Sequence, residues 1–117
     1  MNSKRKGSEG ERELAAILRG YGYEARRGLQ YQSGQVEADV VGIPGIHIEV
    51  KRVERFGAAD LYKAMEQSTR DAKEGETPVV VHRTNRRRWL VTLDLYDFLA
   101  IIVHWLARLA KGERHGE

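Results

Sequence analysis

Ala38-Asp39-Val40-Val41-Gly42-Ile43-Pro44-Gly45-Ile46-His47-Ile48-Glu49-Val50-Lys51 is the stretch that decides the fold. Side chains alternate faces in an extended segment, so Glu49 and Lys51 point one way while Ile48 and Val50 point the other. Before them Ala38, Val40 and Gly42 alternate with Asp39 and Val41, and Ile43-Pro44-Gly45-Ile46 supplies a turn. Segments 36–42 and 46–51 therefore read as a hairpin with one ionic and one apolar face. A turn centred on Pro44 sets Asp39 opposite Glu49, with facing Cβ atoms roughly 5 Å apart; a different turn would shift the register. Carboxylates so placed repel each other, and a divalent cation removes the repulsion, since Mg²⁺ takes one or two carboxylates, further oxygens and several waters. Such an ion polarises a phosphate and activates an attacking water. Lys51, on the same face, is placed to position that water or to neutralise charge developing on the phosphate. The alternative is a solvated hairpin face, because Glu-X-Lys alone recurs by chance.

A third carboxylate strengthens the metal reading. Leu14, Ile17, Leu18 and Tyr21 share one face of a helix expected from about Glu9 to Gly20. Glu11 lies on the Leu18 edge of that stripe and points toward the sheet, whereas Glu9 and Arg12 fall near the opposite side. Ser8 and Glu11 equally fit a capping box with Glu at N3. The two roles are compatible. Glu37 shares the face of Asp39 and is a candidate substitute or outer ligand.

Beyond the hairpin the periodicities predict a strand over 23–27, a helix over 58–73, strands over 78–83 and 88–93, and a helix over 95–110, giving the order αβββαββα. Segment 28–36 has no clean period and reads as a loop leading into the Asp39 strand, able to contact a substrate or simply to connect. The last five residues, 113–117, read as frayed. In the middle helix Leu61, Ala64, Met65, Ser68 and Ala72 form the buried face, with Lys63, Gln67 and Arg70 on the other. His47 shares the face of Glu49, as an auxiliary group or a structural one, whereas His82 reads as a hydrogen-bonded core residue; His104 and His115 say little.

The chain has 117 residues, enough for one domain with a real core. Its formal charge of +3 conceals clustering. Lys4, Arg5 and Lys6 form a basic arm within a flexible segment 1–7, Arg26 and Arg27 end the first strand, Lys51, Arg52 and Arg55 follow the hairpin, and Arg83, Arg86, Arg87 and Arg88 flank a turn. These groups suit phosphates, although any one such run is commonly solvated surface. No cysteine is present, so disulfides and thiolate metal sites are excluded and a metal would be held by oxygen. With no signal-peptide pattern and no membrane-spanning apolar run, the expected setting is cytoplasmic. The final helix carries Phe98-Leu99-Ala100-Ile101-Ile102-Val103, then Trp105, Leu106 and Leu109, apolar on nearly every side. Either it is buried wholly within one domain or it forms the interface of a homodimer.

Lys6-Gly7-Ser8-Glu9-Gly10-Glu11-Arg12-Glu13-Leu14, followed by Gly22-Tyr23, Asp39-Val40-Val41 and Ile48-Glu49-Val50-Lys51, resembles the archaeal and phage-type Holliday junction resolvases of the PD-(D/E)XK nuclease superfamily. Arg27-Gly28, Ser33-Gly34, Glu66-Gln67 and Pro78-Val79-Val80-Val81-His82-Arg83 extend the likeness, which runs from about Lys6 to about Leu99. Ala38 stands where the namesake motif has proline. The resemblance implies a restriction-endonuclease-like α/β core, a mixed sheet flanked by helices. It also implies a homodimeric Mg²⁺-dependent endonuclease, with Mn²⁺ as an alternative ion, cutting branched double-stranded DNA at four-way junctions in the cytoplasm of a prokaryote or of a phage host. On it, Glu11, Asp39 and Glu49 are metal-site acids and Lys51 the catalytic lysine. The backbone carbonyl of Val50 is a further ligand and Glu11 acts through water. Lys4, Arg5, Lys6, Arg27, Arg52, Arg55, Gln67, Arg83, Arg86, Arg87 and Arg88 are the expected DNA contacts. The other readings are a general or differently branch-selective nuclease and a non-catalytic DNA-binding module. Clustered acids argue against the last, because they weaken binding to phosphates.

Overall fold

A computed structural model describes residues 3–29, 34 and 36–112; the expectations for residues 30–33 and 35 of the loop, for His115 and for the tail 113–117 lie outside them. The element order is the expected one: α1 (Ser3–Gly20), β1 (Arg26–Arg27), β2 (Val40–Val41), β3 (Ile46–Arg52), α2 (Ala58–Asp71), β4 (Thr77–Arg83), β5 (Leu90–Leu93) and α3 (Leu95–Ala110). The strands make one sheet in the order β1-β2-β3-β4-β5. All pairs are antiparallel except β3 with β4. A parallel pair needs a crossover, and α2 supplies it.

Alternation along β3 sorts the two faces. Ile48 and Val50 pair across to Val79 and Val81 and, with Val40 and Ala25, meet Leu14 and Ala15 of α1 in the apolar core. His47, Glu49 and Lys51 point to the opposite face, which α2 covers with Ala64 and Ser68. Ser68 Oγ donates to the carbonyls of Val79 at 3.0 Å and His47 at 3.4 Å. Covered on both sides, β3 is buried continuously from His47 to Val50. The helix stripe was read correctly at Ala64 and Ser68, while Leu61, Met65 and Ala72 are half-buried.

The hairpin has the expected register. Val40 lies opposite Ile48, which centres the connection on Pro44 and sets Asp39 against Glu49. Gly42 and Gly45, with φ of 130° and 79°, frame the turn in backbone conformations that side-chain-bearing residues rarely adopt. The strands β1 and β2 are shorter than expected, although backbone bonds from Gly28 to Asp39 at 2.9 Å, from Glu37 to Leu29 at 3.0 Å and from Asp39 to Ile48 at 3.0 Å continue the pairing beyond them, and side chains add to it. Glu37 accepts from the backbone N–H of Leu29 at 2.9 Å, and Asp39 Oδ2 accepts from that of Val50 at 2.8 Å.

Three expectations need correction. α1 begins at Ser3 instead of Glu9, so Lys4, Arg5 and Lys6 lie on a helix and not in a flexible arm. Ser8 and Glu11 are then interior, and the capping box does not exist. The Arg5–Glu9 ion pair at 3.0 Å spans Gly7, and Gly10 lies where a Cβ would collide with Arg52, so close packing selects it. α2 ends at Asp71, two residues early. The last helix has the expected bounds and starts from Asp94, whose carboxylate accepts from the N–H groups of Tyr96 and Asp97. None of its residues is buried, which overturns the alternative of a helix wholly within one domain.

Candidate active site

The α2-facing side of β3 collects the site. Glu49 is only 5% exposed, and its Oε2 lies 3.6 Å from Lys51 Nζ. Burial pushes the Glu49 carboxyl up to about 7, helped by the facing charge of Asp39, while Lys51 works in the opposite direction and Asp71 adds to the rise. The site is thus short of positive charge where Asp39 and Glu49 meet. Asp39 is fixed by its bond from the Val50 N–H, so the Val50 backbone abuts the acid pair. Among the described residues no group of three His, Cys, Asp or Glu side chains is placed to hold a metal ion. A pair of carboxylates beside peptide oxygens suits a hard cation that keeps several waters.

Glu11 stands apart. It comes from the helix on the other face of the sheet, and its Oε1 accepts from Arg27 Nε at 3.0 Å. Arg27 also reaches Ser8 Oγ at 3.4 Å. Glu37 is likewise committed, accepting two bonds from Arg26 at 2.7 and 3.0 Å, and this pairing holds its carboxyl below the usual range. It faces Arg26 instead of completing the acid pair.

Several expected DNA contacts are engaged within the molecule. Lys6 is buried and its Nζ donates to Asn85 at 3.0 Å, with Glu54 at 3.4 Å; Arg52 donates to the same Asn85 oxygen at 2.9 Å. Arg83 lies 3.5 Å from Glu13, which also accepts from Trp89 Nε1 at 2.7 Å, and its guanidinium sits over the Trp89 ring. Arg52 and Arg83 share the α1 face, away from Glu49. Lys4 and Arg5 are exposed on α1, while Arg86, Arg87 and Arg88 form the exposed β4–β5 turn, Arg86 with φ of 63°. Arg55 and Gln67 lie beside Lys51, lining a cavity of about 330 Å³ with Lys63.

Of the histidines, His47 is buried with Nδ1 3.7 Å from Glu76 Oε1. His82 is the core residue expected, its Nε2 2.9 Å from Thr92 Oγ1, its ring against Phe56 and its pKa lowered by burial. Sequence reasoning missed Asp71, Glu76 and Asn85. Asp71 had a signal, since it continues the buried Ala64–Ser68 stripe at helical spacing; the other two act through distant partners.

A family model described as "Phage putative PDDEXK endonuclease" matches residues 2–108. The chain belongs to this family. The fold of this PDDEXK endonuclease is similar to that of Hjc, a Holliday junction resolvase from the archaeal hyperthermophile Archaeoglobus fulgidus. The TM-score is 0.51, with 23% identity over 75% of this chain and 72% of that one. No curated protein matches. Among the described residues no helix is long and apolar enough to cross a membrane.

Proposed function

We propose that this PDDEXK endonuclease resolves four-way DNA junctions by divalent-cation-dependent hydrolysis, Mg²⁺ being the ion and Mn²⁺ a substitute, in the cytoplasm of a prokaryote or phage host. The observation that carries the reading is the facing of Asp39 and buried Glu49 with Lys51 3.6 Å away. Asp39, Glu49 and the Val50 carbonyl would hold the ion. When bound, it polarises the scissile phosphate and lowers the pKa of the attacking water. Lys51 orients that water and offsets charge gathering on the phosphate oxygens, and α2 keeps bulk solvent from Glu49. Junction selectivity is supported by the likeness in fold to a junction resolvase. The test is cleavage of a synthetic four-way junction, a linear duplex and a single strand, with and without Mg²⁺. Preferential junction cutting supports the proposal, whereas equal cutting of linear duplex favours a general nuclease on the same site.

Glu11 joins the site, through water, only by releasing Arg27. Glu11→Gln retains a hydrogen-bond acceptor for Arg27 but is a poor ligand for a hard cation. A catalytic Glu11 predicts lost cleavage with a stability change under about 1 kcal/mol; an Arg27 clamp predicts an active enzyme. Melting temperature and junction cleavage on one preparation decide between them.

The exposed arginine turn supplies phosphate contacts. Replacing Arg86, Arg87 and Arg88 with Ala is expected to weaken binding across DNA sequences and to flatten the slope of log affinity against log salt by up to about 0.9 per lost contact. An unchanged slope returns them to solvated surface.

α3 is the homodimer interface in this proposal. Trp105, Leu106, Leu99 and Phe98 are all exposed, an apolar surface that a second copy would cover. Two-fold pairing supplies two sites for the paired cuts of a junction. Sedimentation equilibrium at micromolar protein is expected to show a dimer that Trp105→Asp dissociates. Monomer alone, with or without junction DNA, contradicts dimerisation; a dimer that survives Trp105→Asp places the interface elsewhere.

A further inference from the structure

We infer that the cavity beside Lys51 seats the DNA phosphate neighbouring the scissile one, with Lys63 and Arg55 as its positioning residues. The inference rests on the nuclease reading and gives the DNA strand a direction across the site. The ionic face of β3 is electrically lopsided. On the His47 side of Glu49, a cavity of about 360 Å³ is lined by Glu24, Glu37, Asp71 and Glu76, against Lys73 in the lining and Arg26 paired to Glu37. On the Lys51 side, the cavity of about 330 Å³ carries Lys51, Arg55 and Lys63 around Gln67. Its one acid, Asp60, accepts from the Gly57 N–H at 3.0 Å at the start of α2, and the three cations outnumber it. A phosphodiester chain leaving Glu49 is repelled from the first cavity and drawn into the second.

Lys51 faces Glu49, and the other two cations there are available. Lys6, Arg27, Arg52 and Arg83 are held by Asn85, Glu11, Ser8 or Glu13, whereas Arg55 and Lys63 have no ion pair or side-chain hydrogen bond among the described residues. The placement follows from topology. The chain leaves β3 just after Lys51 through Arg55 and turns into α2, which returns over the same face and brings Lys63 and Gln67 above Lys51. Phe56 lines this cavity and also the next, about 330 Å³, where Arg87 and Arg88 lie, so the basic path continues past it.

The test uses four-way junctions carrying a single uncharged methylphosphonate at successive positions around the cut. Binding is followed by anisotropy and cleavage by single-turnover kinetics. Lys63→Ala and Arg55→Ala are each expected to weaken binding roughly 5- to 10-fold and to lower the salt slope by about 0.9. The penalty should vanish at one neutral phosphate next to the cut, and Lys63→Arg should restore binding. A penalty of the same size on every modified junction, or none at all, overturns the inference. Wild-type protein that binds but does not cut overturns the nuclease reading instead, and the methylphosphonate pattern in binding still decides the phosphate seat.

Discussion

Asp39→Asn and Glu49→Gln each lower junction cleavage on the order of a thousandfold, about 4 kcal/mol of barrier, while junction binding stays intact or tightens. Each change removes half of the facing acid pair and also removes a charge that repels phosphate. Near-normal turnover of either variant at saturating Mg²⁺ would remove the pair from the mechanism. Glu49 also sets a pH dependence of stability. Its carboxyl titrates near 7 in the folded protein against an ordinary value of 4.5. The folded state therefore holds more protons than the unfolded state between those values, and the stability of the metal-free protein falls as pH rises through that window before levelling off. Glu49→Gln removes the decline and is expected to be more stable above pH 7, by up to about 3 kcal/mol. A wild-type melting temperature that is flat or rising between pH 5 and about 7.5, with the same profile in the variant, would contradict the burial argument.

Lys51→Ala should be nearly as damaging, by about 10²- to 10³-fold in single-turnover cleavage, with affinity for the metal little changed. Because Lys51 opposes the rise in the Glu49 pKa, its removal should also move the ascending limb of the pH–rate profile to higher pH. Calorimetry showing lost metal binding in Lys51→Ala would make the lysine a structural prop of Glu49 instead.

The acid pair was legible because two local rules agree on it. A Pro44-centred turn and a period of two suffice to set Asp39 against Glu49, and no distant residue is needed. α3 was legible for a similar reason, with the Asp94 cap at one end and a long apolar run behind it. The start of α1 was not, because local rules pointed elsewhere. Ser8 and Glu11 look like a helix entry, while the contact that anchors the first turns joins Lys6 to Asn85, 79 positions away. Charge clusters misled in another way. Arg52 is adjacent to Lys51 in sequence, but one step along a strand reverses the face, and Arg52 serves the α1 packing while Lys51 faces α2. The same alternation puts Arg27, which pairs with Val40, on the α1 face, where Glu11 accepts its hydrogen bond.

Calorimetric titration of the wild-type protein and of Asp39→Asn with Mn²⁺ near pH 7, in buffers of different ionisation enthalpy, tests the Asp39–Glu49 site most directly. Binding there must deprotonate Glu49, so the wild type is predicted to bind the ion with release of a fraction of a proton, visible as a buffer-dependent heat, and Asp39→Asn is predicted to lose that signal. Binding of unchanged strength in Asp39→Asn, or no binding by the wild type at millimolar ion, would contradict the account.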